Sequence, residues 1–350
     1  MDLQQTRPAI EPTLRRADPL APLKVAIVMP VFNDWASLEK LIDQLDALTE
    51  LDGHEVRIIA VDDGSPERPS AHWSSRRRHH IVSVELIALV CNLGHQRAIA
   101  IGLVATSAIE DLDFVVVMDC DGEDRPSDVA RLLKLAEEHR GHIVLASRMR
   151  RSETLRFRIF YALYKILFRA LTGAAIDFGN FCVLPADSVR SLVHSSYIWN
   201  NLAAAVIRSR IPSVDLPTER GHRYVGRSQM RFVDLVVHGL SAMSVYADTI
   251  LVRIILFALL LVGLVIAGMA TVVSVRLFTT LAIPGWASNV FGTLSIILLQ
   301  ALIFAGIALF QLLSFRSFKT VIPAIDGPSY IKPAGIRSER APLSDEARQS

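Results

Sequence analysis

From Leu251 to Phe315 the chain carries no Asp, Glu or Lys, and its only charges there are Arg253 and Arg276. Two apolar stretches stand out inside it, Ile254 to Val275 and Phe291 to Leu313. Each runs for about 22 residues, long enough to cross a hydrocarbon core of about 30 Å. A buried helix in a water-soluble protein seldom runs so far without a polar face. The segment between them, RLFTTLAIPGWASN, carries Pro284, Gly285 and Trp286 and reads as a short hairpin loop with an aromatic side chain at the interface. Two membrane-spanning helices are the expectation.

Positive charge sets the direction of that hairpin. Arg220, Arg223, Arg227, Arg231 and Arg253 precede the first span, Arg316 and Lys319 follow the second, and only Arg276 lies by the loop. The bias places both termini and residues 23–230 in the cytoplasm, on an inner (cytoplasmic) membrane. Residues 1–22 hold charges and prolines without an apolar core, so they read as a disordered lead-in and not as a signal peptide or a third span. Cys91, Cys120 and Cys182 have no paired spacing and are expected to stay reduced in a cytosolic domain. The net charge of +2 conceals basic clusters at SSRRRHH, at SRMRR and beside the membrane.

The remaining length suffices for one sizeable α/β domain. Short β-branched runs at Lys24–Val31, Val56–Val61, Val82–Leu89, Phe114–Met118 and His142–Ala146 alternate with helical patterns at Ser37–Leu48, His95–Ile109 and Pro126–Glu138. That alternation predicts a mostly parallel, Rossmann-like sheet. Leu155–Leu171 mixes Arg156, Arg158, Lys165 and Arg169 with aromatics, a helix suited either to a membrane surface or to packing on the sheet. Residues 231–249, with the amphipathic Phe232–Val245, read as a juxtamembrane helix, 250–315 as the hairpin and 316–350 as a cytoplasmic tail. Its end, Ser338–Ser350, is polar and expected to be loose.

Two strands end in acid. FVVVMDCDGEDRPSD closes on Asp119 and Asp121, and IIAVDDGSP closes on Asp62 and Asp63. Parallel sheets bind ligands beyond the carboxyl ends of their strands, so two acidic ends imply one site. Residues i and i+2 at a fraying strand end can both turn to a hard divalent cation such as Mg²⁺ or Mn²⁺, and Glu123 offers a third oxygen ligand. Asp124 reads as a capping residue for the helix that begins at Pro126. In NLGHQRAIAI, which opens at Asn92, Gly94, His95 and Gln96 stand at a helix start, where free N–H groups attract phosphate.

Read in order, MPVFND, VDDGS, NLGHQ, DCDGED and DFGNF resemble the GT-A glycosyltransferases of family 2. DFGNF, GRSQM at 226–230 and the two C-terminal spans narrow the resemblance to the polyprenyl-phosphate glycosyltransferases, over roughly Lys24 to Leu313. The resemblance implies a UDP- or GDP-linked sugar donor, a divalent metal and an undecaprenyl-type lipid phosphate acceptor at a membrane. It calls for no nucleic acid and leaves a homo-oligomer open. It places Pro30, Phe32 and Asp34 against the nucleoside, Asp62 and Asp63 on base and ribose, Asn92 in the donor loop and Arg148 near the phosphates. Asp119, Asp121 and Glu123 fall at the metal, and Asp177 near the reacting centre. Asp34 stands where Glu is usual, Asn180 where a second acid is, Cys182 where Arg is, His95 where Lys or Gln is, and Gln229 where Lys is common. No Q-x-x-R-W motif is present, which favours a single transfer over polymerisation. Arg223 and Arg227, just before the juxtamembrane helix, are the candidates for the acceptor phosphate, set against simple membrane anchoring.

A phosphate monoester is already largely anionic near neutral pH, so such an acceptor needs no strong base. A hydroxyl-bearing glycolipid acceptor would need one and would make Asp177 indispensable. A membrane scaffold without turnover is the non-enzymatic alternative.

Overall fold

The computed structural model describes residues 22–69, 78–148, 155–175, 178–225, 232–280 and 283–340. Its strands are β1 (Lys24–Val31), β2 (Glu55–Asp62), β3 (Ile81–Leu89), β4 (Phe114–Val117), β5 (Ile143–Arg148), β6 (Phe178–Pro185), β7 (Ser213–Thr218) and β8 (Ile331–Arg340). Its helices are α1 (Trp35–Asp46), α2 (His95–Ser107), α3 (Pro126–Glu138), α4 (Leu155–Thr172), α5 (Ala186–Leu192), α6 (Leu202–Ser209), α7 (Phe232–Ser244), α8 (Ala247–Phe278), α9 (Trp286–Ser317) and α10 (Pro323–Asp326).

The strands form one mixed sheet in the order β7-β5-β6-β4-β1-β2-β3-β8. β1 pairs in parallel with β2 and β4, and β2 with β3, whereas β6 runs antiparallel to both β4 and β5. The predicted parallel centre is present because KVAIVMPV, EVRIIAVD and FVVV are apolar on both faces, and each face is covered. α1 and α3 supply Leu38, Leu41, Ile42, Leu45, Val129 and Leu132 on one side. α2, α5 and α6 supply Ile99, Ile101, Leu103, Val189 and Leu202 on the other. Gly102 lets α2 lie close to β1, since a Cβ there would stand 2.4 Å from Val28 Cγ1.

The register sets the site. Val31 is level with Asp62, and Val28 with Val117, so β1, β2 and β4 end together. Because β6 is antiparallel, its first residues, from Phe178, lie at that same edge, and β5 delivers Arg148 there.

α8 and α9 are 32 residues each, about 48 Å at 1.5 Å per residue, and longer than the predicted spans by up to seven residues at an end. Their seam is made of Ala258, Val265 and Val272 against Ala301 and Ala308, residues spaced by seven, while Leu, Ile and Phe side chains face outward. Ala258, Ala301 and Ala308, and Gly268 beside Leu294, let the two helices approach closely. Thr271, Thr293, Ser295 and Ser314 return their hydroxyls to the carbonyl four residues back.

Both ends of this hairpin are fastened to the sheet domain. At the start of α8, Asp248 accepts two hydrogen bonds from Arg208 of α6, at 2.9 and 2.7 Å, and Phe168 of α4 meets Tyr246 edge-on. Arg253, counted in the sequence as a flanking charge, donates to the Ala170 carbonyl near the end of α4 at 2.6 Å. α4 therefore packs by Phe168 against α6, α7 and the start of α8, not flat on the sheet, and leaves Leu163, Ile166 and Leu167 exposed.

Beyond α9, Ala324 N donates to Val193 O at 2.9 Å, and residues 331–340 run antiparallel along β3. The tail expected to be loose from Ser338 is thus a strand as far as Arg340, because β3 offers it an unpaired edge. Residues 341–350 lie outside the described residues, as does the lead-in 1–21.

Candidate active site

Three loops meet at the carboxyl edge of the sheet. The first follows β1, where Pro30 is buried, Phe32 is exposed and Asn33 adopts φ 57°. Asn33 N donates to Ser65 Oγ at 2.9 Å, and Trp35 Nε1 donates to Glu67 O at 3.0 Å. Those bonds stitch the β1 turn to the second loop, VDDGSPE. There Asp62 Oδ1 accepts from Ser65 N at 2.8 Å, which forms the turn. Gly64 is required at φ 76°: a Cβ would stand 2.7 Å from Asn92 N and the Cys91 carbonyl carbon.

Asp63 is buried, and both its oxygens accept backbone N–H groups, from Leu93 at 2.7 Å and Gly94 at 2.9 Å. Burial pushes its carboxyl above the ordinary range, although those two N–H groups and His95 pull the other way. Asn92 lies exposed beside it, at the mouth of the turn into α2.

The third loop follows β4. Asp124 does not cap α3: its Oδ2 accepts from Asp119 N at 2.9 Å and folds the DCDGED turn back on itself, and Arg125 takes the cap position instead. Asp121 Oδ1 accepts from Glu123 N at 2.9 Å. Burial raises the Asp121 carboxyl, and Asp119 and Glu123 add to the effect while Arg223 offsets it. Gly122 has φ 90° and lies under the Tyr224 ring, 2.6 Å from where a Cβ would be.

Over this acidic turn runs a strap, Glu219 to Val225, joined to it by Gly221 N to Glu123 O at 2.8 Å and Tyr224 N to Asp121 O at 2.9 Å. Arg220 pairs with Glu123, and Arg125 pairs with Glu219 at 2.9 Å. Arg223 bridges two strand ends: one guanidinium nitrogen meets Asp34, the other lies 3.3 Å from Asp121 Oδ2. A cleft of about 430 Å³ lined by Lys40, Gln44, Arg125, His222 and Tyr224 lies beside the strap.

His95, at the start of α2, reaches the third loop. Its Nε2 is 3.2 Å from Asp119 Oδ1 and 3.0 Å from Asn180 Nδ2. Burial disfavours the imidazolium, yet Asp119, Asp124 and Asp63 outweigh it and raise the pKa. Gln96 donates to Asn180 Oδ1 at 2.9 Å and accepts from Leu202 N at 2.8 Å, tying β6 and α6 into the site.

The structure thus brings Asp34, Asp62, Asp63, Asn92, Asp119, Asp121, Glu123 and Arg223 to one edge, with Pro30, Phe32 and the end of β5 at Arg148. Asp177 and Arg227 lie outside the described residues. Asp119, Asp121 and Glu123 do not close into a three-carboxylate cage, because Glu123 turns to Arg220. Among the described residues no three His, Cys, Asp or Glu side chains group closely enough to hold an ion alone. The donor set still fits a hard cation of the Mg²⁺ type, which takes one or two protein carboxylates and completes its shell with phosphate and water. Arg220, Tyr224 and the Gln96–Asn180 link were missed from sequence, and only the basic cluster around Arg220 and Arg223 hinted at any of them.

The mixed sheet with its acidic carboxyl edge is a Rossmann-like, GT-A-type domain followed by two long apolar helices that form a hairpin. Residues 26–183 match the family model Glycosyl transferase family 2. The chain is 28% identical over 221 residues to undecaprenyl-phosphate 4-deoxy-4-formamido-L-arabinose transferase of Enterobacter sp. (strain 638), with 61% of this chain and 64% of the relative covered. The chain thus spans a little under two thirds of that relative's length. Solved structures similar to it include mannosyl-3-phosphoglycerate synthase from Rubrobacter xylanophilus, 20% identical with a TM-score of 0.46, over 64% of this chain and 73% of that one. Another is glucosyl-3-phosphoglycerate synthase from Mycobacterium tuberculosis with Mn²⁺, uridine diphosphate and glucosyl-3-phosphoglycerate, 20% identical with a TM-score of 0.43, over 66% and 80%.

Proposed function

We propose that this chain is a metal-dependent, inverting glycosyltransferase that moves one sugar from a UDP- or GDP-linked donor to a polyprenyl phosphate of the undecaprenyl type. The supporting observation is a carboxylate-rich strand edge in a family 2 domain that is fastened to both ends of an apolar helical hairpin. The relative whose name specifies an undecaprenyl-phosphate acceptor agrees with it.

Asp119 and Asp121 would hold Mg²⁺ or Mn²⁺, with Glu123 as a further candidate once released from Arg220. Bound there, the cation supplies positive charge to the departing nucleoside diphosphate. Asp62 and Asp63 would face base and ribose beside Phe32, with Asn92 at the loop and Arg148 toward the phosphates. The acceptor phosphate is its own nucleophile, so the protein's work is positioning, exclusion of water and charge balance. In-line attack at the anomeric carbon breaks the bond to the diphosphate and inverts the centre. Asp177 would align the acceptor or stabilise charge developing on the sugar. Arg223 and Arg227 are the candidates for the acceptor phosphate, and Arg227→Lys should raise the apparent KM for lipid alone, because lysine cannot make bidentate contacts.

Incubation with radiolabelled UDP- and GDP-sugars and undecaprenyl phosphate, followed by organic extraction, tests the reading. Label should enter the lipid phase only with a divalent cation and lipid phosphate, and label transferred to a glycolipid instead would replace the acceptor. Both termini are proposed to be cytoplasmic. With the native cysteines removed, Ser288→Cys should react with an impermeant thiol reagent outside the cell and Ser344→Cys should not.

A further inference from the structure

Arg223 is held where a cation is needed. Its guanidinium spans Asp34, at the end of β1, and Asp121, at the end of β4, and is only partly exposed to solvent. Asp121 stands in a turn whose neighbours Asp119 and Glu123 are also acidic, and its side chain is only 15% exposed. Against this acidic turn the fold sets an arginine drawn from 102 residues further along the chain. From this geometry we infer that the Arg223 guanidinium and the divalent cation are mutually exclusive occupants of the Asp121 carboxylate. Arginine keeps its charge at any working pH, so the cation cannot approach the oxygen Arg223 occupies unless the guanidinium leaves.

The means of leaving are visible. Arg223 belongs to the strap, which two backbone hydrogen bonds and the Arg220–Glu123 and Arg125–Glu219 pairs hold in place, so that its side chain can rotate while the strap stays put. Its Nε donates to Val225 O at 3.1 Å, within the strap itself, a bond that release of the two terminal nitrogens leaves intact. Loading the site with cation would therefore free a positive charge at the mouth of the donor cleft, the place from which it can meet an anionic acceptor. Arg223 on this account is a positioning residue: it sets how tightly the empty site takes a cation and when its own charge becomes available.

The inference rests on Asp121 being a cation ligand, and the test separates the two. Mn²⁺ alone, without nucleotide, is titrated calorimetrically into the full detergent-solubilised chain and its variants. Arg223→Gln should bind Mn²⁺ about tenfold more tightly than the wild type, the ratio that 1.4 kcal/mol of removed competition gives. Arg223→Lys, which keeps the charge, should stay within about twofold. Asp121→Asn should lose binding by about tenfold or more. If Asp121→Asn loses binding while Arg223→Gln binds no more tightly than the wild type, the exclusion is wrong and the ligand assignment stands. If Asp121→Asn binds as the wild type does, the ligand assignment falls and the exclusion with it.

A second measurement needs no variant. Trypsin cleaves after arginine only when the guanidinium can enter the protease pocket, so Mn²⁺ should accelerate cleavage of the Arg223–Tyr224 bond relative to a small arginine ester. Equal relative rates with and without Mn²⁺ would overturn the proposal.

Discussion

The two acidic strand ends are satisfied in different ways. After β2, Asp62 and Asp63 accept their bonds from backbone N–H groups of Ser65, Leu93 and Gly94, which cannot move without unfolding a turn. After β4, Asp121 accepts one bond from Glu123 N, but the remaining contacts of Asp119, Asp121 and Glu123 come from His95, Arg223 and Arg220, side chains that can rotate away. Carboxylates of the first kind hold loops in register and form a fixed wall. Those of the second kind can exchange partners, as the proposed cation site requires.

The largest expected effect tests the exchangeable end. Asp121→Asn should reduce transfer by about 10²–10³-fold or more, since a positioned charge partner is lost. The melting temperature in detergent should barely move. An Asp121→Asn protein that melts early would put this carboxylate in the fixed class.

Asp63→Asn should do the reverse. An amide offers one acceptor where two backbone N–H groups point, so one is left unsatisfied in a buried place, at a cost of about 1–3 kcal/mol. Thermal unfolding should report that loss, and an unchanged melting temperature would erase the contrast between the two ends.

The smallest effect is a pH dependence. The Asp111 carboxyl is held below the ordinary range by the hydrogen bond from Lys24, so its contribution is present above the usual carboxylate value and lost as pH falls through the lowered one. Asp63 is raised by burial, so its contribution is greatest in acid and lost as pH rises through its raised value. Between about pH 5 and pH 3, Asp111→Asn should therefore lose less stability than the wild type, and Asp63→Asn should show no such protection. Parallel curves for all three proteins would contradict both assignments.

How much of this was legible follows from distance along the chain. β1 runs over Lys24–Val31 and α3 over Pro126–Glu138 as their patterns predict, because β-branched runs and a first-turn proline act locally. The acidic edge was legible for the same reason, each carboxylate marking the end of its own strand. β6 was not: FGNFCVLP reads as a motif, and it becomes a strand because β4 and β5 both need a partner. β8, with Pro333 and four charged residues, has no apolar alternation and pairs only because β3 is open. The Asp34–Arg223 bridge joins residues 189 apart, and no local pattern announces such a contact. Asp124 was misjudged as a cap because the competing acceptor role, toward Asp119 N, depends on the turn between them.

The hairpin interrupts the sheet: β7 precedes it and β8 follows it. As the chain emerges from the ribosome, the first seven strands are made before the apolar helices, and the eighth only after both. Until then β3 is a bare edge of the kind that recruits strands from other molecules. The reversal of direction between α8 and α9 brings residues 331–340 back to the domain, where they cover that edge and make it an interior pair of the sheet.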